Sequence, residues 1–410
     1  MENKLNRKFA ALLAALMLIL TLVLSVCIVS ASGQYAEAAD LMRAGGGEAV
    51  DIVKTAAPAG VRAKSAYLTD ASGGTVMFSQ NENARLPIAS MVKIMTTLII
   101  YEEMGNGRFN LDSDISVSDT AAGMGGSQVF LSANTTHKLR NLLKSIVICS
   151  ANDASVAMAE AIAGSEEGFV ALMNKRAKEL GMSNTHFATC TGLPAPEQYS
   201  SAKDVAIMTA ALIKHKGYFE FSHIWLENYV HPDGRETVMT NTNKLVRFYK
   251  GCDGGKTGFT NEAMFCVSAT AERGGMRLIS VIIGAENSKV RFAEASKLLN
   301  DGFANFENKV LLERSQVAAE IAVKKGKEKT AGLVPERTIA AIVKRGDNPD
   351  VTVKYEVPDF VAAPMKAGEI AGKAIVLKNG VVVDEVALVL IKDVPKSTLF
   401  DEIKYIIGKW

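Results

Sequence analysis

The sequence predicts an α/β fold, with an antiparallel sheet and a helical subdomain sharing residues 60–303, a small all-β domain over 310–395, and an amphipathic helix over 396–410. Three observations carry this expectation. Strand signals at both ends of the first segment enclose a helical middle. From about residue 310 the chain becomes a series of short β-branched runs separated by Gly, Pro, Asn and Asp. The last residues then place Leu399, Phe400, Ile403, Ile406, Ile407 and Trp410 on one side of a helix.

A segment of different character precedes the fold. A basic stretch ends at Lys8, and Phe9 to Val29 is apolar apart from Thr21 and Ser25. Val29-Ser30-Ala31 and Ala36-Glu37-Ala38 both fit the small-x-small pattern of a signal peptidase site. Residues 1–38 are therefore read as a signal peptide, with an uncleaved N-terminal anchor as the alternative because the apolar run is long. Either form exports the rest of the chain. The length of 410 residues, with 48% hydrophobic and 22% charged, suits two or three folded units. The net charge of +2 is supplied by Lys4, Arg7 and Lys8 against Glu2. The remainder is near neutral, so no basic face is implied and nucleic acid is excluded as a partner.

Ala66-Tyr67-Leu68 opens the fold as a strand, Asp70 to Gly74 turns, and Thr75 to Phe78 returns beside it. After Pro87 the period changes. Met91, Ile94, Met95, Leu98 and Ile99 recur at helical spacing, which predicts a mostly buried helix over residues 89–104. Leu139 to Ile148 and Ala151 to Ile162 are two apolar helices split near Ser150. Glu167 to Leu180 is an amphipathic helix ended by Gly181, and Ala202 to Ile213 another. Phe265 to Thr270, the turn Arg273-Gly274-Gly275, and Leu278 to Ile283 form a hairpin, followed by a helix over Lys289 to Leu299. In the all-β part the runs are Thr338 to Val343, Val351 to Val357, Ile375 to Leu377, Val381 to Val383 and Val386 to Ile391. The terminal helix suits a membrane interface, or else packs on the β domain.

Of five cysteines, Cys27 lies in the leader. Cys149, Cys190, Cys252 and Cys266 are too sparse for a disulfide scaffold, fit no zinc spacing, and read as buried small residues whose pairing the sequence leaves open.

Three short groups carry chemistry. Ser90-Met91-Val92-Lys93 stands at the start of the buried helix, where residues three apart share a face, so the Lys93 amine reaches the Ser90 hydroxyl. Buried lysine loses its charge readily and becomes a base near neutral pH. Ser150-Ala151-Asn152 interrupts two apolar helices; Ser150 suits proton relay, Asn152 offers a donor and an acceptor, and an N-cap is the plain alternative. Lys256-Thr257-Gly258 follows a turn and opens a strand, where a lysine and a hydroxyl hold a carboxylate and Gly258 admits an extended peptide. A phosphate-binding loop is excluded because the full glycine pattern is absent. Singly each is weak. Together, in order and each in its required context, they form the constellation of serine β-lactamases and penicillin-binding proteins.

With these motifs, the sequence resembles the low-molecular-mass D-alanyl-D-alanine carboxypeptidases of the penicillin-binding superfamily, and among them the vegetative or sporulation enzymes of Gram-positive bacteria. Leu86 to Thr96, Gly126-Ser127-Gln128, Asn174 to His186, Asn241 to Leu245 and Asp253 to Thr260 are all family-like. The resemblance implies the β-lactamase/penicillin-binding-protein-like fold and no cofactor or metal. Ser90 would attack the penultimate D-Ala carbonyl, Lys93 would be its base, and Ser150 would relay a proton to the leaving amine. Asn152 would bind the substrate backbone, Lys256 would tune the field at Ser150, and Thr257 would grip the terminal carboxylate. The backbone N–H groups of Ser90 and Phe259 would form the oxyanion hole. Implied partners are peptidoglycan stem peptides ending in D-Ala-D-Ala and β-lactam antibiotics as covalent inhibitors, with peripheral membrane contact through the terminal helix on the extracytoplasmic face. A D,D-endopeptidase, transpeptidase or β-lactamase would use the same site.

Two departures stand out. Val92 occupies a position where the family often has Thr, and Thr189-Cys190-Thr191-Gly192-Leu193 replaces a Pro-His-Gly-Leu run. The five histidines, 137, 186, 215, 223 and 231, are read as surface or structural.

Overall fold

A computed structural model describes residues 60–72 and 74–407. The leader, both candidate cleavage sites, Cys27 and Trp410 lie outside the described residues.

Strand β1 (Ser65–Asp70) pairs with β2 (Val76–Gln80), and both join β7 (Cys252–Thr260), β8 (Met264–Arg273) and β9 (Met276–Ala285) in one antiparallel sheet of order β2-β1-β9-β8-β7. Side chains alternate across a strand, and this sheet is buried on both faces. Tyr67, Cys266, Ile279, Val281 and Ile283 pack toward the helical subdomain. Leu68, Val267, Ala269, Leu278 and Ile282 pack toward α6 (Ser288–Asn305), whose Leu298 and Leu299 cover them.

The helical subdomain comprises α1 (Lys93–Gly105), α2 (Leu139–Cys149), α3 (Asn152–Ala163), α4 (Glu166–Glu179) and α5 (Ala202–Leu212). Helix α1 is buried from Lys93 through Tyr101, so it is a core helix without a wet face. A short pair, β3 (Asp114–Ser116) with β4 (Thr136–Lys138), and a hairpin of β5 (Leu226–Val230) with β6 (Glu236–Thr240) also belong to this part, with short helical turns between them.

Helix α6 runs six residues beyond the expected Leu299, because Phe303 and the Cβ-less Gly302 still pack on the sheet. Strand β10 (Phe306–Leu312) follows at once and pairs with β13 (Ile339–Lys344). The remaining strands are β11 (Ala319–Lys324), β12 (Thr330–Pro335), β14 (Val351–Glu356), β15 (Phe360–Ala362), β16 (Ile370–Lys378) and β17 (Val381–Leu390), in a sheet of order β14-β16-β17-β12-β11-β15. The two runs expected at 381–383 and 386–391 are one strand: Asp384 and Glu385 stay in the β16 ladder opposite Val376 and Ile375, with Asp384 largely covered and paired with Arg337 and Glu385 exposed. Helix α7 (Leu399–Ile407) ends the described chain.

Candidate active site

Ser90 sits in a single 3₁₀ turn, Ala89–Val92, that leads directly into α1. Ala89 has a left-handed φ of 47°, which is strained for a residue with a Cβ. Two glycines hold it there. A Cβ on Gly192, itself at φ 81°, would fall on the Ala89 carbonyl, and a Cβ on Gly258 would fall on the Ile88 carbonyl oxygen. The loop and strand β7 thus clamp the Ser90 turn between them. The space that the Gly258 side chain would fill is taken by this turn.

Lys93 is fully buried at the first position of α1. Its Nζ donates to Asn152 Oδ1 and to the Thr191 carbonyl, each at 2.6 Å, and lies 3.2 Å from Ser90 Oγ. Burial pushes the amine down to about 7, against smaller opposing effects from Cys190, Cys149 and Asp153. A neutral amine has two hydrogens and one lone pair. The two carbonyl-type acceptors occupy the hydrogens, so the lone pair is left for the Ser90 hydroxyl.

Ser150 caps α2 in the left-handed conformation, φ 68°, and turns the chain into α3. Its hydroxyl is buried and has no hydrogen-bond partner among the described residues. Neighbouring Cys149 is pushed up to about 12 by burial, so its thiol is no competing nucleophile. Asn152 is engaged on both ends: Oδ1 accepts from Lys93, and Nδ2 donates to the Gly125 carbonyl at 2.7 Å, leaving one hydrogen unused.

The next residue, Asp153, was not singled out from sequence. Its buried carboxylate accepts from the backbone N–H of Leu131 at 3.0 Å, Val129 at 3.1 Å and Ala154 at 2.9 Å. It therefore ties the loop opposite Asn152 to the start of α3. The signal was present as a carboxylate inside an apolar helix start, which needs partners if buried.

Lys256, Thr257, Gly258 and Phe259 lie along β7, the edge strand facing this cluster. Lys256 Nζ donates to the Thr257 carbonyl at 3.0 Å, and its amine is held well below the ordinary lysine value, first by burial and then by Lys93. Phe259 is exposed and rests on Phe265, with ring centroids 4.4 Å apart. Behind the strand, Arg291 of α6 donates to the carbonyls of Gly258 at 3.3 Å and Cys266 at 3.2 Å. Burial lowers this guanidinium to about 10. Nothing in the sequence marked Arg291, because an arginine within a helix ordinarily reads as solvated surface.

The loop without the family histidine is nonetheless pinned. Thr96 Oγ1 donates to the Cys190 carbonyl at 2.7 Å, the Cys190 N–H donates to Glu166 Oε1 at 2.9 Å, and Gln198 bridges Thr189 N–H and the Leu193 carbonyl, each at 2.8 Å. His137 and His231 are buried beside Tyr229, while His186 and His223 are at the surface. All four cysteines beyond the leader are free thiols. Among the described residues no three His, Cys, Asp or Glu side chains converge as metal ligands would.

With this geometry in hand, comparison with known proteins is specific. The family profile described as D-alanyl-D-alanine carboxypeptidase matches residues 52–287, and that described as penicillin-binding protein 5, C-terminal domain, matches residues 306–396. The chain is 41% identical over 350 residues to the D-alanyl-D-alanine carboxypeptidase DacF of Bacillus subtilis, covering 85% of this chain and 90% of that protein. It is 32% identical to DacA of Escherichia coli, covering 85% and 89% respectively. The crystal structure of penicillin-binding protein 5 from Haemophilus influenzae superposes with a TM-score of 0.63 at 30% identity, covering 83% of this chain and all of that one.

Proposed function

The chain belongs to the D-alanyl-D-alanine carboxypeptidase family, and from that membership we propose how its residues divide the reaction. It is a serine-type carboxypeptidase acting on peptides that end in D-Ala-D-Ala. Ser90 Oγ attacks the carbonyl of the penultimate D-Ala as its proton passes to neutral Lys93. The developing oxyanion is met by the backbone N–H groups of Ser90 and Phe259. Ser150, whose buried hydroxyl lacks a partner, carries a proton to the departing D-Ala amine, within the field of Lys256. Thr257 holds the terminal carboxylate, and the unused Asn152 hydrogen takes a substrate carbonyl. Water then cleaves the acyl-enzyme, with Lys93 again the base. Penicillin, as a mimic of the substrate end, acylates Ser90.

The observation that supports this division most is the Lys93 amine, whose two hydrogens are engaged elsewhere so that its lone pair is directed at Ser90. Intact mass after exposure to benzylpenicillin tests it: one adduct is expected on the native chain and none on Ser90→Ala. An adduct that survives the substitution assigns the nucleophile elsewhere. Release of D-Ala from a pentapeptide, without cleavage of cross-linked muropeptides, separates carboxypeptidase from endopeptidase action. Its cell-wall substrate and the apolar leader support a working place outside the cytoplasm. We further assign α7 as a peripheral membrane contact, because Leu399, Phe400, Ile403 and Ile407 are exposed on it rather than packed on the β domain.

A further inference from the structure

Resting on the carboxypeptidase reading, the direction of the bound peptide follows from strand β7. The terminal carboxylate belongs at Thr257 and the scissile carbonyl at the Phe259 N–H. Residues that precede D-Ala-D-Ala therefore continue past Phe259 toward the far end of the strand. A cleft of about 420 Å³ lies there, large enough for a side chain. Pro87, Ala89, Gly192, Pro194, Thr260 and Glu262 line it.

The walls and the mouth of this cleft differ in chemistry. Proline rings and the alanine methyl offer apolar, conformationally fixed surface suited to a methylene chain. Glu262 is exposed in the turn after β7, and its carboxylate makes no hydrogen bond or ion pair among the described residues. The fixed position of the turn comes from elsewhere: the Ala263 N–H donates to Thr260 Oγ1 at 3.1 Å, and Ala263 is buried. Glu262 thus has no part in building the turn, yet it lines the cleft.

We propose that Glu262 is a specificity-determining residue that selects stem peptides whose residue before D-Ala-D-Ala ends in an amine. The aliphatic stem of that residue lies along the proline wall, and its ammonium meets the Glu262 carboxylate at the mouth.

The test compares D-Ala release from Nα-acetyl-L-lysyl-D-alanyl-D-alanine with release from the same peptide acetylated on the side-chain amine. The native chain is expected to favour the free amine by about fivefold in kcat/KM, expressed in KM, as suits a partly solvated ion pair. The preference fades as salt approaches molar concentration. Glu262→Gln brings the ratio of the two substrates to about one, and Glu262→Lys reverses it. Acylation by benzylpenicillin, which carries no amine, verifies that each variant is folded with Ser90 in place. Equal use of both peptides by the native chain, or a preference that survives Glu262→Gln, overturns the inference and leaves the carboxypeptidase reading standing. Failure of the native chain to release D-Ala from either peptide overturns both.

Discussion

A lysine without access to water occupies the first position of α1 because its surroundings favour the neutral amine. That preference has a sign. Burial lowers the folded-state value to about 7, so the base is protonated below that point and free above it. Acylation of Ser90 by benzylpenicillin should therefore rise with pH through about 7. Lys256 titrates in the same field, so the midpoint belongs to the pair rather than to one amine. Stopped-flow measurement of acylation between pH 5 and 9 checks this, and a flat profile would remove Lys93 from the role of base. Lys93→Ala should slow acylation by about 10²–10⁴-fold, the span of general-base contributions. Lys93→Arg should be equally impaired, since a guanidinium does not give up its proton. Asp153 works one step further back, by holding three N–H groups rather than substrate. Asp153→Ala strands those donors in the interior. It should cost about 3 kcal/mol in denaturant unfolding and slow acylation as the loop facing Asn152 loosens.

At the scale of elements, the placement of Ser90, the proposed nucleophile, depends on three segments meeting where no side chain intervenes: the 3₁₀ turn, the loop through Gly192, and β7 at Gly258. Gly192→Ala adds a methyl where the Ala89 carbonyl already lies, at a φ of 81° that a Cβ disfavours. The helices on either side are built independently of that contact. The variant should stay folded by circular dichroism while acylating at least about tenfold more slowly, equivalent to some 1.4 kcal/mol at the transition state. Unchanged acylation would mean that the clamp is incidental. How much of this could be read from the chain follows from what each element repeats. Helices α1 to α5 declare themselves because their apolar residues recur at helical spacing, and the hairpin of β8 and β9 because two strand-forming runs are joined by the short turn at Gly274 and Gly275. The candidate residues Ser90, Lys93 and Asn152 were legible as motifs, and hydrogen bonds bring all three together. Contacts between distant segments leave no such trace. Arg291 reaches Gly258 across 33 positions, and the close approach of Gly192 to Ala89 spans more than a hundred. The β domain was under-read for a local reason. Strands β11, β12 and β15 are short and half-exposed, and charges within β17 resemble a turn although β16 holds them in the ladder.

For the whole molecule, the remaining question is what the β domain and its terminal helix add to a proposed site whose residues all precede them. The two parts touch directly: Lys378 Nζ donates to the Ile342 carbonyl at 3.0 Å and lies 3.5 Å from Thr75 Oγ1, so the second sheet is braced against the turn between β1 and β2. At the far end, Thr398 and Asp401 cap α7 reciprocally: Asp401 Oδ2 accepts from the Thr398 N–H at 3.0 Å and Oγ1 at 2.7 Å, while the Asp401 N–H donates to Thr398 Oγ1 at 3.3 Å. The helix start is thereby fixed with Leu399 80%, Phe400 75% and Ile407 68% exposed. No described helix is long and apolar enough to cross a membrane, and an interfacial helix needs only one apolar side. Each large side chain transferred out of water contributes up to about 2 kcal/mol, so four of them suffice for peripheral attachment. Acidic and basic residues are balanced in residues 399–410, so attachment should depend little on anionic lipid or on salt, in contrast to a polybasic segment. A chain lacking residues 1–38 should cosediment with neutral phosphatidylcholine vesicles. Deletion of residues 398–410, or Leu399→Asp with Phe400→Asp, should leave it in the supernatant with penicillin acylation intact. Cosedimentation that persists after both changes would place the membrane contact on another surface, and loss of binding in moderate salt would make it electrostatic.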